Sequence, residues 1–365
     1  MKSTLNSRRP ILVLAVVMMA VGIMVVGCQH DPAVSLAAKS NTLSYTQVNL
    51  VSDLDTFTPT PITIDPSMLN AWGLAMDPEG DFGIAANHSG MGLFYDDEGI
   101  AALPAIQIPA FDGTFPGAPS GQVYNSSNGF VIPSTGEKAK FIFSTEDGII
   151  CAWASGPNAI MVVPQIDDNA VYKGLAMAMH GGRPYLYATN FRDHRIDVFD
   201  GSFNRVMDYK FADPTIPENY SPFSITNIDG KLWVAYAVPK SPDFVDDSAG
   251  LGNGFVNIFN PNGMRVRRFY SHGVLNSPWG ITMAPEGFGA FRKTILIGDF
   301  GDGMINAFDN SGKFMGSLMM PGGDPVVIDG LWAISAMPGH GQNRIFFTAG
   351  PNEEEDGLFG YLQAQ

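Results

Sequence analysis

Basic side chains are scarce in this chain. Lys and Arg number 21 against 36 Asp and Glu, which leaves a net charge of −15. Binding to nucleic acid rests on cationic side chains that neutralise phosphates, so that class of partner is excluded. Charge of either sign is also sparse, at 16% of residues, while apolar residues make up 45%. A charge-rich disordered chain has the opposite balance. Cysteine occurs only at Cys28 and Cys151. Beyond the first thirty residues no stretch of helical length carries a clean apolar stripe, which argues against a helical bundle. No phosphate-loop lysine motif, no His-Glu-x-x-His helix and no Gly-x-Ser-x-Gly elbow occurs. His88, His180, His194, His272 and His340 are scattered without ligand spacing. What the chain has in quantity is glycine, 41 residues, and aromatics, 11%. Together they point to short strands joined by tight turns.

The first segment reads as an address. Lys2, Arg8 and Arg9 precede the uncharged apolar run Ile11 to Gly27, which ends in Val25-Val26-Gly27-Cys28. An aliphatic residue and a small residue before Cys form a lipobox, in which the Cys28 thiol takes the lipid. The run is shorter than the ~20 residues that usually span a bilayer. Residues 1–27 are therefore expected to be a signal peptide and are set aside from fold reasoning. Residues 28–44 are polar and aperiodic, a tether, and 45–365 is the folded body. The expected location is the cell envelope, exported and lipid-anchored, with Gln29 after the Cys matching sorting to an outer membrane. The partners expected are the membrane, through that lipid, and an unidentified protein or small molecule. With Cys28 acylated, Cys151 has no disulfide partner, and its strand-like, apolar setting fits a small buried hydrophobe.

Internal repetition carries the fold. A Gly-aliphatic-small strand is followed by a second apolar strand and a third that ends in aromatic-Asp or aromatic-Asn. One clear copy is Gly174-Leu175-Ala176, Tyr185-Leu186-Tyr187-Ala188-Thr189-Asn190, Ile196-Asp197-Val198-Phe199-Asp200. Copies begin near residues 73, 121, 174, 224, 280 and 332, a period of about fifty. Several short strands at that period predict an all-β, six-bladed β-propeller of about four strands per blade. The last copy offers only three strands. The lone strand candidate Tyr45 to Val51 is expected to complete that blade from outside, which removes an open sheet edge.

Trp72-Gly73-Leu74-Ala75, Ser277-Pro278-Trp279-Gly280, Gly298-Asp299-Phe300-Gly301-Asp302-Gly303, Asp329-Gly330-Leu331-Trp332 and Thr348-Ala349-Gly350-Pro351-Asn352 resemble segments of an uncharacterised family of bacterial exported propellers. Some members of that family end in a PEP-CTERM sorting tail, which this chain lacks. The resemblance covers about residues 48–362 and implies the propeller and export but no reaction. More distantly the blades are similar to NHL-repeat and gluconolactonase-like propellers.

In a propeller the starts of the inner strands and the ends of the second strands share one face around the central channel. That face is expected to gather Asn70, Trp72, Asn87, Lys173, Asn190, Asn276, Trp279, Asp299, Asp329 and Trp332. Trp72, Asn87, Lys173, Asn190, Trp279, Asp299, Asp329 and Trp332 form the candidate ligand-binding set at the channel mouth. The tryptophans serve there as stacking surfaces or as wedges between blades. Asn87, Asn190 and Asp299 are read as ending corresponding strands in three blades, with Ser144 in that place in the second blade and Glu146 just beyond. Their oxygens are the candidate Ca²⁺ ligands, with turn capping as the plain alternative. The runs Asp246-Asp247 and Glu353-Glu354-Glu355-Asp356 read as solvated loops. The function expected is a lipid-anchored binding module for a ligand or protein. The alternative is a metal-dependent hydrolase of lactones or esters, with the ion in the central channel.

Overall fold

A computed structural model describes residues 44–165, 170–337 and 342–365. Cys28, the apolar run before it and His340 lie outside the described residues. Six antiparallel sheets are arranged in a ring. Blade I comprises Ala71–Met76, Phe82–Ala86, Met91–Tyr95 and Ala101–Gln107. Blade II has Pro119–Tyr124, Phe141–Thr145, Ile150–Trp153 and Ile160–Val163. Blade III stops at three strands, Tyr172–His180, Arg183–Asn190 and Arg195–Asp200. Blade IV contains Ser221–Ile228, Lys231–Ala237, Phe255–Phe259 and Arg265–Ser271. Blade V is built from Pro278–Met283, Ile295–Asp299, Ile305–Phe308 and Phe314–Ser317. Blade VI begins with Leu331–Ala336, Arg344–Ala349 and Leu358–Ala364.

The N-terminal strand Tyr45–Ser52 completes blade VI, pairing antiparallel with Leu358–Ala364 from Tyr45↔Ala364 to Ser52↔Leu358. The two-residue strand Thr63–Ile64 adds to it in parallel, so this blade has five strands rather than four. The inner strand of each blade lies against those of its two neighbours, blade VI against blade I included, and the ring is closed.

No single sheet hides both its faces, and the packing shows how that is solved. Each of the six junctions between neighbouring blades has its own apolar cluster. Phe82 and Phe346 fill the junction of VI with I, and Phe94 with Phe143 that of I with II. Leu186 lies between II and III, Val234 between III and IV. Ile297 with Trp233, and Leu296 with Phe347, fill the remaining two. Each such side chain contributes about 1.5–3 kcal/mol on burial.

Two recurring sequence features have local causes. The Asp after the third strand closes the outer hairpin with its own side chain. Asp96 Oδ1 accepts from the N–H groups of Glu98 and Ile100 at 2.9 and 2.8 Å, and Asp200 and Asp309 repeat the pattern. The Gly of Gly-aliphatic-small sits where adjacent inner strands nearly touch. A Cβ on Gly121 would stand 2.5 Å from the Leu175 nitrogen, and one on Gly73 2.5 Å from the Ser120 carbonyl. Every inner strand breaks register with its neighbour at this level. Hydroxyls then fasten one blade to the next. Ser120 donates to the Tyr172 carbonyl (2.7 Å), Thr189 to Phe223 (3.1 Å) and Thr348 to Trp72 (2.6 Å).

Candidate functional site at the channel mouth

Strand pairing sets the level of every side chain around the axis. The first pairs of inner and second strands are Ala71↔Ala86, Pro119↔Thr145, Tyr172↔Asn190, Ser221↔Ala237, Pro278↔Asp299 and Leu331↔Ala349. The next inner-strand residues are Trp72, Ser120, Lys173, Pro222, Trp279 and Trp332. Four of the eight residues expected at the mouth therefore form one layer across the axis. The tryptophans close the channel here instead of lining an open mouth. Trp72 and Trp332 are 2% exposed and Trp279 6%. Trp332 meets Trp72 and Phe300 with ring centroids 4.0 Å apart in each case, and Trp279 at 5.8 Å. Behind this plug a cavity of about 670 Å³ runs along the axis to the opposite face, walled by Gly121, Leu175, Ser224 and Ser335 among others.

Lys173 is buried in the layer at 1% exposure. Its ammonium lies 4.5 Å from the centroid of the Trp72 ring and pairs with Glu146 from blade II. Asn87 Nδ2 donates to Glu146 Oε2 and to the Pro119 carbonyl, both at 3.1 Å. Asn70, held at φ +46°, is the keystone of the opposite side. Its Oδ1 accepts both indole N–H groups, from Trp72 at 2.7 Å and Trp332 at 2.9 Å. Its Nδ2 donates to Glu354 Oε2 at 2.7 Å. Burial pushes the Glu354 carboxyl above its ordinary range, with Glu146 and Asp246 adding to the rise while Asn70 and Lys173 oppose it. Burial likewise raises Asp247, again against the pull of Lys173. Asp247 Oδ2, Ser277 Oγ and Trp279 Nε1 are enclosed with no well-formed hydrogen bond among the described residues, although the Ser277 hydroxyl stands close enough to Asp247 to oppose its rise. Loops of three alternate blades, II, IV and VI, thus bring Glu146, Asp247 and Glu354 into the field of one buried lysine.

The other predicted residues go elsewhere. By strand pairing, Asn190 and Asp299 are equivalent to each other and to Thr145, whereas Asn87 lies one residue further along, level with Glu146. Side chains alternate faces along a strand, so a slip of one residue reverses direction. Asn190 accordingly turns into its own sheet, donating to Asp193 (3.1 Å) and Asp197 (3.0 Å). Asp299 accepts from Asn306 Nδ2 at 2.7 Å and from the Asn276 N–H at 3.1 Å, and burial raises it well above the usual carboxylate range. The three candidate Ca²⁺ ligands have disjoint partners and do not converge. Among the described residues no three His, Cys, Asp or Glu side chains gather closely enough to hold a metal ion. Asp329 is exposed and accepts from the Asn352 N–H at 3.0 Å. Asn276 ties the Gly250 N–H (2.6 Å) to Asp302 (3.1 Å). Ser144, one residue short of the others, accepts from the Gly121 N–H at 3.0 Å. Cys151 is buried and its thiol is pushed up by burial.

Glu354 and Asp247 belong to the two acidic runs expected to be solvated, yet burial raises both carboxyls. Each acidic run follows the second strand of its blade, in the loop equivalent to the one that carries Glu146. That shared position was the available signal.

Ring, closure strand and plugged, charged axial layer define a six-bladed β-propeller. No family model matches the chain. Two uncharacterised proteins of Acanthamoeba polyphaga mimivirus are each 34% identical to it. One aligns over 315 residues, 82% of this chain and 81% of its own, and the other over 318 residues, 82% and 76%. The chain belongs to the family of uncharacterised proteins that these two represent. These relatives are viral, not the bacterial exported proteins that the motifs led us to expect, and nothing in them bears on a sorting tail. Solved structures of similar fold include a streptogramin B lyase (12% identity, TM-score 0.53, 88% of this chain and 98% of that one). A Penicillium chrysogenum alpha-L-arabinanase gives 11% identity, TM-score 0.55, and 87% and 98% coverage. A Bacteroides thetaiotaomicron protein of unknown function gives 10%, 0.55, and 88% and 77%. At such identities the likeness concerns the fold alone.

Proposed function

We propose that the chain is a lipid-anchored envelope module that binds a cationic small ligand at the loop face of its axial layer. One observation carries the reading. Glu146, Asp247 and Glu354 share the field of Lys173, and Asp246 adds a further negative charge beside the last two. Two of these carboxyls are held above their ordinary range by burial. A second positive charge beside them relieves their repulsion, and Trp72 and Trp332 supply the aromatic floor that favours an ammonium. The carboxylates are spread over three blades rather than packed into a metal-sized cluster, which fits an organic amine.

Calorimetric titration with putrescine and spermine, against neutral butanediol, tests this. Wild type is expected to bind the amines and not the diol, with binding weakened in high salt. Glu354→Gln and Asp247→Asn each weaken it by about tenfold, a loss of ~1.4 kcal/mol. Equal heats for amine and diol would overturn the proposal. The anchor rests on the lipobox. Cys28→Ser is expected to abolish incorporation of labelled palmitate, and undiminished labelling would remove the anchor from the proposal.

A further inference from the structure

Blade III differs from the other five in having no fourth strand. After the hairpin turn, residues 203–206 pair briefly with the third strand, through the Val206 N–H to the Val198 carbonyl at 2.8 Å and the bridge Phe199↔Arg205. The chain then swings away toward blade IV. The space an outer strand would fill is a cavity of about 570 Å³ between the edge of blade III and blade IV. It is a different place from the axial layer, on the flank of the ring.

The lining of this cavity combines rings with a charged floor. Tyr209, Phe211, Tyr220 and Tyr236 stand in its walls. On the floor, Asp197 is 3% exposed and accepts from Tyr172 (3.1 Å), Asn190 (3.0 Å), Arg195 (2.9 Å) and Arg205. Burial would raise this carboxyl, but the hydrogen bonds and charges of Arg195, Asn190 and Arg205 hold it below the usual range. It therefore stays ionised and fixes Arg205. That arginine engages Asp197 through Nη2, and its Nε and Nη1 make no hydrogen bond in the described residues. At the other end Asp213 alone faces two arginines, Arg265 at 2.9 Å and Arg268 at 2.5 Å. Among the residues that line the cavity, Arg195, Arg205 and Lys210 balance Asp197, Asp213 and Glu218. The chain as a whole has a net charge of −15, so an even balance here is a local exception.

We infer that this flank cavity is a second binding site, for a small ring-bearing carboxylate. Arg205 offers to the carboxylate the N–H groups it does not spend on Asp197, and the tyrosines pack against the ring. The ring could be aromatic or that of an acidic sugar, and the chemistry at Arg205 is the same for both.

The test is ligand-observed NMR and calorimetry with benzoate and glucuronate, each beside its uncharged counterpart, benzyl alcohol and glucose. At least one acid is expected to bind with a Kd of about 1 mM or tighter, and about tenfold more tightly than its neutral partner. Which acid binds identifies the kind of ring. Arg205→Lys keeps the charge beside Asp197 but removes the fork, and is expected to weaken binding about tenfold. Ile216→Trp, which fills the cavity from its wall, abolishes it. Glu354→Gln leaves it unchanged, which separates this site from the axial one. No binding of either acid at about 10 mM, or binding unaffected by both cavity variants when they unfold at the wild-type midpoint, would overturn the inference.

Discussion

Replacing Asn70 by alanine should cost far more than a loop substitution normally does. The Asn70 Oδ1 is the shared acceptor of two indole N–H groups, 2.7 and 2.9 Å away, on tryptophans that are 2% exposed. Truncation leaves both donors buried and unpaired, at about 1–3 kcal/mol each. Asn70 also sits at φ +46°, where alanine is disfavoured by roughly 1–2 kcal/mol. Together these give a loss of about 3–8 kcal/mol, a large part of the ~5–15 kcal/mol that holds a domain folded. The assay is urea unfolding followed by tryptophan emission. Asn70→Gly separates the two causes, since it orphans the same donors without the backbone penalty and should be about 1 kcal/mol less harmful than alanine. An alanine variant within about 1 kcal/mol of wild type would refute the reasoning, because the indoles would then have to be satisfied elsewhere.

Three more outcomes follow from the same geometry. Gly121→Ala places a Cβ 2.5 Å from a backbone nitrogen of the next blade, and should destabilise by about 1–3 kcal/mol in the same assay. Deleting residues 1–52 removes the closure strand, with Tyr45, Leu50 and Val51 at 0–1% exposure, a loss of about 5–9 kcal/mol. That truncation should give no soluble monomer on size-exclusion chromatography. Glu354 has a raised carboxyl, so the folded state binds its proton more tightly than the unfolded chain does. Its contribution to stability is greatest below the ordinary Glu value of ~4.3 and declines as pH rises through the raised one. Glu354→Gln should lack this decline, and urea midpoints that fall equally in both proteins between acid and neutral pH would contradict it.

The architecture was legible because a propeller repeats its physics. The Gly-aliphatic-small strands record how closely inner strands approach, and the aromatic-Asp endings record a side-chain-capped turn. Three clear Gly-aliphatic-small runs and four aromatic-Asp or aromatic-Asn endings, within six strand groups spaced about fifty residues apart, made blade number and closure readable. Strand number per blade was less so, since the outer strands are exposed or half-buried at most positions and carry little apolar pattern, and blade III lacks one outright. At the mouth, Trp72, Lys173, Trp279 and Trp332 were placed together because their strands share a motif. Asn87, Asn190 and Asp299 were grouped by appearance, and a one-residue difference in register sends the last two to the other face. Glu354 and Asp247 were missed because a run of acids in a loop looks the same whether one member turns inward or none does. What turns Glu354 inward is Asn70, distant by 284 positions, a contact that no local pattern reveals.

Binding of a cationic ligand to the carboxylates above Trp72 and Trp332 is tested most directly by tryptophan emission during a spermine titration. The predicted result is a saturable change in emission in wild type that is absent with butanediol and weakened about tenfold in Glu354→Gln. Emission that stays flat while calorimetry records binding would place the amine elsewhere on this acidic surface, and the proposed site would fall.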